Sequence, residues 1–474
     1  MSDHGDRVRF SSWGGSVASG AHAVSPADFD RASRQPGVRC LPYGNGRSYG
    51  DSCLLSGGGM IEARRNARIL SFDEETGLLE AEAGILLSEI IAFAGPRGWF
   101  PQVLPGTQFV TLGGAIANDI HGKNHHRRGT FGVHVDNLVL MRSDQGRLTC
   151  SRTEHADLFA ATISGMGLTG LIEEATIRLM RVGSTEICET TTRFDRLEDY
   201  FERAEAADER HEYAVAWIDS LATGKRFGRG HLICGDHAAS GRRDGVGRPP
   251  IASVPLTPPV SPLMGPALKA FNEVYYRKAK PGTHARTVPF DGFFFPLDRV
   301  GRWNRLYGPR GLCQHQGVIP DEHGPAGVRA LIECAHTHGQ GSFLTVLKRF
   351  GAIASPGITA FARPGYTLTL DFPNRGARTL ALLEELDRIT IEAGGAVNPY
   401  KHHRMSSATF ATSFPRFQDL DALRDRAMVS DFWLRTVGNA AERPVSSNQA
   451  EAPSNDTFTL RDDARPAPVG TPAF

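Results

Sequence analysis

The chain has 474 residues, enough for two or three domains' worth of core. Hydrophobic residues make up 40% and charged residues 22%, a mix that excludes wholesale disorder. Lys plus Arg number 53 and Asp plus Glu 52, so the net charge of +1 argues against general electrostatic binding to nucleic acid or to an anionic membrane.

No apolar run is long enough to span a bilayer, and the first residues lack the apolar core of a signal peptide. The cysteines (Cys40, Cys53, Cys150, Cys188, Cys234, Cys313, Cys334) form no CxxC pair, which predicts reduced thiols in a cytoplasmic protein. Residues 36–180 are rich in short β-like runs broken by glycine. A first glycine loop, 41–52, follows a β-like run at 37–41 and carries Tyr43, Gly44, Asn45, Gly46, Arg47, Ser48, Tyr49 and Gly50. Small residues there let several backbone N–H groups point at one anion. No Gly-Lys-Ser/Thr follows, so it is not a Walker A loop, and no clear helix follows, so it is not a dinucleotide fingerprint of the Rossmann type.

Apolar positions at helical spacing predict a helix over 85–94, stopped by Gly95-Pro96. A second loop follows, with Gly106 and Thr107, then Gly113, Gly114, Ala117, Asn118, Ile120, His121 and Gly122. Its small residues permit a flat ligand to approach the backbone. The histidines beyond (His125, His126) leave a metal site and a solvated polar loop open, but no further ligand set lies nearby, so no metal is expected. Residues 135–141, 143–146 and 147–150 read as strand, turn and strand. The third loop, 164–172, holds Gly167, Gly170 and Ile172 between a helical segment and a β-like run. That order reverses a Rossmann unit and argues against a nicotinamide site.

Residues 193–208 are predicted to form an amphipathic helix, and 379–393 another, ended by Gly394-Gly395. The Pro/Gly/Ser-rich stretch 236–265 reads as a flexible surface loop or an active-site cover. The tail from about 439 to 474 is polar and Pro-rich and is expected to be disordered.

Three such loops in this order, with GRSYGDS, LPGT and GGAIANDIHGKNHH as the most specific pieces, resemble the vanillyl-alcohol-oxidase-type FAD-binding family. Within it they resemble the branch that oxidises decaprenylphosphoryl-ribose. Weaker matches lie at 216–219, 314–320, 347–351, 370–373 and 394–401. The resemblance implies an α+β, two-domain FAD-binding fold of the PCMH type. An FAD-binding domain over 1–190 would be completed by 401–438, with an antiparallel-sheet substrate domain inserted over 191–400. It implies that residues 43–51 hold the FAD pyrophosphate, that the second loop walls the flavin, and that Gly167, Gly170 and Ile172 edge the adenine half. On the substrate side it implies Tyr49, His121, Trp217, Gln314, Gln316, Lys348, Phe350 and Lys401.

A sugar-alcohol oxidation needs hydride transfer to flavin N5 and loss of the hydroxyl proton. Lys401 is the first candidate for a catalytic residue, positioning the alcohol and stabilising negative charge, with His121 and Tyr49 beside it. Gln314 and Gln316 alternate on an apparent strand and so face one side, suited to sugar hydroxyls or the flavin edge. Arg47 stands where many relatives attach FAD through histidine, which implies non-covalent FAD. Thr369 stands where some members of the branch carry a cysteine, which makes the pocket more polar there and removes a thiol target.

The expected reaction is oxidation at C2' of a polyprenyl-phosphate-linked ribose, the ketone passing to a partner short-chain reductase. The alternatives are an oxidase of a free sugar, sugar alcohol or aldonolactone, and a flavin-less or metal-binding protein supported only by the histidines at 121–126 and 402–403. The moderate apolarity of 249–264 suits a lipid-linked substrate and at most peripheral membrane contact.

Overall fold

The computed structural model describes residues 7–33, 37–401 and 403–438. The tail expected to be disordered, and His402, lie outside the described residues.

Three sheets organise the chain. The first is mixed, in the spatial order Val8–Ser11, Ala18–Val24, Gly59–Glu62 and Cys40–Tyr43. The second is antiparallel, in the order Ile69–Phe72, Leu78–Glu82, Leu171–Arg181, Val135–Arg142 and Gly146–Ser151, with Trp99–Pro101 against the far end of Leu171–Arg181. The predicted hairpin at 135–150 is the pair Val135–Arg142 and Gly146–Ser151. The third sheet has eight antiparallel strands, in the order Thr283–Val288, Ile187–Phe194, Gly230–His237, Tyr213–Ile218, Val346–Phe350, Gly365–Pro373, Leu312–Ile319 and Ala396–Val397.

The period-2 alternation of a strand decides what each face of the third sheet does. Ala216, Leu347, Leu368, Leu370 and Phe372 point one way and pack against the helices Leu197–Arg210, Gly324–Thr337 and Ala377–Glu392. Trp217, Lys348, Thr367, Thr369 and Asp371 point the other way, toward the first two sheets. The helix predicted from 85 runs over Leu87–Ala94, and the one predicted over 379–393 runs over Ala377–Glu392. Gly394 ends the latter at a φ of 72°. The helix predicted from 193 begins only at Leu197, because Arg193 and Phe194 belong to a strand. The Asp199 carboxylate caps its start by accepting from the Arg196 N–H at 3.1 Å.

Two segments tie the sheets together. Helices Ser407–Ser413, Phe417–Leu423 and Asp431–Thr436 return to the first sheet, where Phe410, Leu420, Phe432 and Trp433 share a core with Phe10, Leu41 and Met60. There Cys40 N–H donates to the Ala427 carbonyl at 2.7 Å and accepts at its own carbonyl from Val429 at 3.0 Å. The stretch read as a flexible loop departs from that expectation at both ends. Residues 236 and 237 finish a strand, and Gly265 opens the helix Gly265–Lys278. Between them, the Arg242 carbonyl accepts from Thr185 N–H at 3.0 Å, and Arg248 pairs with buried Asp291 at 3.0 Å. Val246, Ile251, Leu256 and Val260 remain exposed.

Candidate active site

The glycine loops of the first two sheets and the polar face of the third enclose a cavity of about 420 Å³. On one wall stand Gly44, Asn45, Gly46, Arg47, Ser48, Gly106, Thr107, Gly113, Gly114, Ala117, Asn118, Ile120, Gly122, Gly167, Gly170 and Ile172. Two glycines show why the wall is bare. Gly46 has φ of 58°, and a Cβ there would meet the Ser11 carbonyl at 2.8 Å; Gly170 has φ of 146°, and a Cβ would meet the Met141 carbonyl at 2.7 Å. Thr111 caps the helix Leu112–Ala117, its hydroxyl accepting from Gly114 N–H at 3.1 Å, so the turn carrying Gly113 and Gly114 is held against the cavity.

Two residues of the first loop stand behind this wall. Tyr43 donates to the Ser11 carbonyl at 2.9 Å and packs edge-on to Phe10. Gly50 opens the short turn Asp51–Cys53.

Arg47 reaches into the cavity with its guanidinium 4.2 Å from the Trp13 ring and 5.2 Å from Phe109. Among the described residues its buried Nε has no hydrogen-bond partner. A buried cationic N–H left over in this way fits an anionic group supplied by a ligand.

The facing wall holds Tyr49, His121, Trp217, Gln314, Gln316, Lys348, Thr369 and Lys401. Phe350 does not join it. Parity would place it beside Lys348, but His121 and His125 lie over it, at ring distances of 4.8 Å and 4.5 Å, and it is fully buried. It props His121 from behind. Lys401 Nζ sits 4.8 Å over the Tyr49 ring. Burial pushes Lys401 down to about 8, with Asp371 opposing the shift. Asp371 lies beneath Gln314, which donates to it, and burial lifts it to about 7. Lys348 is pushed down to about 7 by burial and then by the cations Lys401 and Lys123. His121 is held well below its ordinary value by burial, then by its neighbours Lys348 and Lys401.

Sequence reasoning missed several lining residues. Asp298, on the turn Pro296–Arg299, accepts from the Thr107 hydroxyl at 3.1 Å and from Gln108 N–H at 3.0 Å, holding the Pro-Gly-Thr loop across the cavity. No motif surrounds it. Lys123 lies within a quoted motif, donates to the Phe293 carbonyl and sits 4.4 Å from that ring. Trp13, Asn398 and Tyr400 complete the list that matters here. The histidine cluster diverges: His121 faces the cavity, His125 is buried against Phe350, and His126 bonds the His211 carbonyl at 3.0 Å. Among the described residues no three His, Cys, Asp or Glu side chains gather as a metal set.

A family model described as an FAD binding domain matches residues 27–151. Decaprenylphosphoryl-beta-D-ribose oxidase of Mycolicibacterium smegmatis is 32% identical over 439 residues, covering 88% of this chain and 93% of that protein. The chain belongs to this family of FAD-linked oxidases. An uncharacterised Streptomyces coelicolor protein is 32% identical over 72% of this chain and 95% of its own length. L-gulonolactone oxidase of Mus musculus is 30% identical over 34% of this chain and 35% of its own.

The chain is therefore an FAD-dependent oxidoreductase with the α+β, PCMH-type FAD-binding fold, and its cofactor is FAD. The bare glycine wall and the unpaired Arg47 Nε fit the flat ring and the pyrophosphate of that group. No helix among the described residues is long and apolar enough to cross a membrane.

Proposed function

We propose that the enzyme oxidises a secondary alcohol of a sugar to a ketone, at C2' of a polyprenyl-phosphate-linked ribose, with FAD bound non-covalently. The observation that carries this reading is the match to decaprenylphosphoryl-beta-D-ribose oxidase across both walls of the cavity. FAD, when bound, supplies the acceptor for the hydride at its N5. Lys401 orients the hydroxyl and stabilises negative charge, with Tyr49 beneath it. Gln314, Gln316, Trp217 and Thr369 bound the sugar. Lys123 and Lys401 line the cavity and suit a phosphodiester.

The outer part of the cavity supports a lipid-linked substrate. Tyr275 of the helix Gly265–Lys278 lines it and stacks on Phe271, which lies 5.0 Å from Phe343; Phe271 and Val274 are exposed. An isoprenoid leaving the pocket would meet these side chains and the exposed apolar residues of 246–260. The ketone would then pass to a short-chain reductase partner, and membrane contact would be peripheral.

Anaerobic bleaching of the flavin absorbance tests the reading. Polyprenyl-phosphate ribose should bleach it, and free ribose or aldonolactones should not. Bleaching by the free sugar or lactone alone would replace this substrate with the L-gulonolactone-oxidase type. Acid precipitation should release the flavin to the supernatant; colour retained in the pellet would refute non-covalent binding.

A further inference from the structure

A line of amides within the substrate wall leads from a backbone N–H to a lysine. Tyr400 N–H donates to Asn398 Oδ1 at 3.0 Å. A backbone N–H can only donate, so the Asn398 oxygen faces it and the Asn398 NH₂ faces outward, where it donates to Gln316 Oε1 at 3.0 Å. The Gln316 amide is fixed in turn: its NH₂ points at the Thr367 hydroxyl, 3.1 Å away, and at His121 Nε2, 3.0 Å away. Turning Gln316 round would set two NH₂ groups against each other. His121 Nε2 must therefore accept, and a neutral imidazole then carries its hydrogen on Nδ1. Nδ1 lies 3.1 Å from Lys348 Nζ. An ammonium there would place N–H against N–H. Only an amine lone pair can receive the Nδ1 hydrogen, while one amine hydrogen serves the Gly122 carbonyl at 3.2 Å.

We propose that the Tyr400–Asn398–Gln316–His121 chain holds Lys348 as a neutral amine, and that Lys348 turns its remaining N–H to the oxygen of the substrate hydroxyl. The second half rests on the alcohol-oxidase reading above; the first does not. The amine's single lone pair faces the His121 Nδ1 hydrogen, one of its hydrogens serves the Gly122 carbonyl, and the other is left to donate to the substrate oxygen. The surroundings agree. Burial, and after it the cations Lys401 and Lys123, bring Lys348 to about 7, while the neighbouring His125 imidazole is pushed down to about 3 by burial and stays neutral. Lys401, by contrast, faces the Asp371 carboxyl, which favours its ammonium. The two lysines thus divide the work: Lys401 supplies charge and Lys348 a neutral donor.

Nitrogen-15 spectra of the FAD-loaded enzyme test the first half, with His121 assigned by loss of its signals in His121→Gln. The expected result is a protonated-type Nδ1 and an unprotonated-type Nε2. Carbon-13 methylation, with Lys348 assigned by Lys348→Gln, should show that lysine titrating near neutral pH. Asn398→Asp sets a carboxylate oxygen against Gln316 and turns the amide round. The His121 nitrogen signals should then exchange character, and the Lys348 transition should rise by two or more pH units. Gln316→Glu should give the same reversal by a second route. A wild-type His121 protonated on Nε2, or a Lys348 titrating with ordinary lysines near about 10, overturns the proposal. If both signatures hold while no lipid-linked sugar bleaches the flavin, the substrate reading falls and the protonation assignment stands.

Discussion

The two walls of the cavity are built on opposite principles. The cofactor wall is backbone: glycines, among them Gly46 and Gly170 where a Cβ would strike a carbonyl, and one arginine whose Nε finds no partner among the described residues. The substrate wall is side chain: every second residue of neighbouring strands, wired by amides and lysines. A backbone wall holds a ligand common to a whole family, since a Cβ at Gly46 or Gly170 breaks the turn. A side-chain wall can be re-lettered at Thr369 or Trp217 without touching the sheet that carries it.

This contrast predicts separable failures. Lys401→Met should slow flavin reduction by about 10²- to 10⁴-fold while FAD remains bound. Stopped-flow bleaching beside the flavin-to-protein ratio checks this, and loss of FAD in that variant would erase the division between the walls. Arg47→Met should weaken FAD binding by about tenfold to a hundredfold, the loss of charge-assisted hydrogen bonding. The reduction rate of the fraction still loaded should be nearly unchanged. Titration of the apoenzyme with FAD measures the first, and a matching fall in the rate would contradict the contrast.

The smallest effect is in stability against pH. Lys348 has a folded value of about 7, below the ordinary lysine value. Between the two, the unfolded chain holds a proton that the folded chain lacks, so stability rises with pH through that window. The slope is about 1.4 kcal/mol per pH unit for one proton. Lys348→Met should flatten thermal-midpoint curves by one proton's worth above pH 7. Asp371, raised to about 7, acts in the opposite sense below it, its contribution falling as pH climbs from the usual carboxylate range. An unchanged slope in Lys348→Met would mean that the lysine is charged in the fold.

The cofactor wall was legible because its requirement limits residue type: at Gly46 and Gly170 nothing but glycine suits the backbone, so the requirement appears in the letters. Much of the substrate wall was legible by strand parity, which placed Gln314 and Gln316 on one face. Parity also misled at Phe350, because His121 arrives from the second glycine loop and covers it. Asp298 was invisible for a plainer reason: it is one acid among 52, and its partners Thr107 and Gln108 lie far away in the chain. Helical spacing at 193–196 was real but lost to pairing of Arg193 and Phe194 with Gly230–His237. Composition at 236–265 recorded scarce bulky side chains, while the anchors there are a backbone carbonyl at Arg242 and an ion pair at Arg248.

The pairing of Cys40 with residues 427–429 sets a schedule as well as a shape. A ribosome makes Cys40 early and Met428 near the end of the described chain. The first sheet has no partner for that edge until the whole third sheet has been synthesised. Contacts so distant along the chain close slowly and leave intermediates exposed. Phe10, Leu41 and Met60 wait for Phe410 and Trp433 to cover them. The loop that bears Arg47 follows directly on this sheet, so lasting FAD capture waits for these last helices, and a chain stopped short of them would present an unfinished cofactor wall.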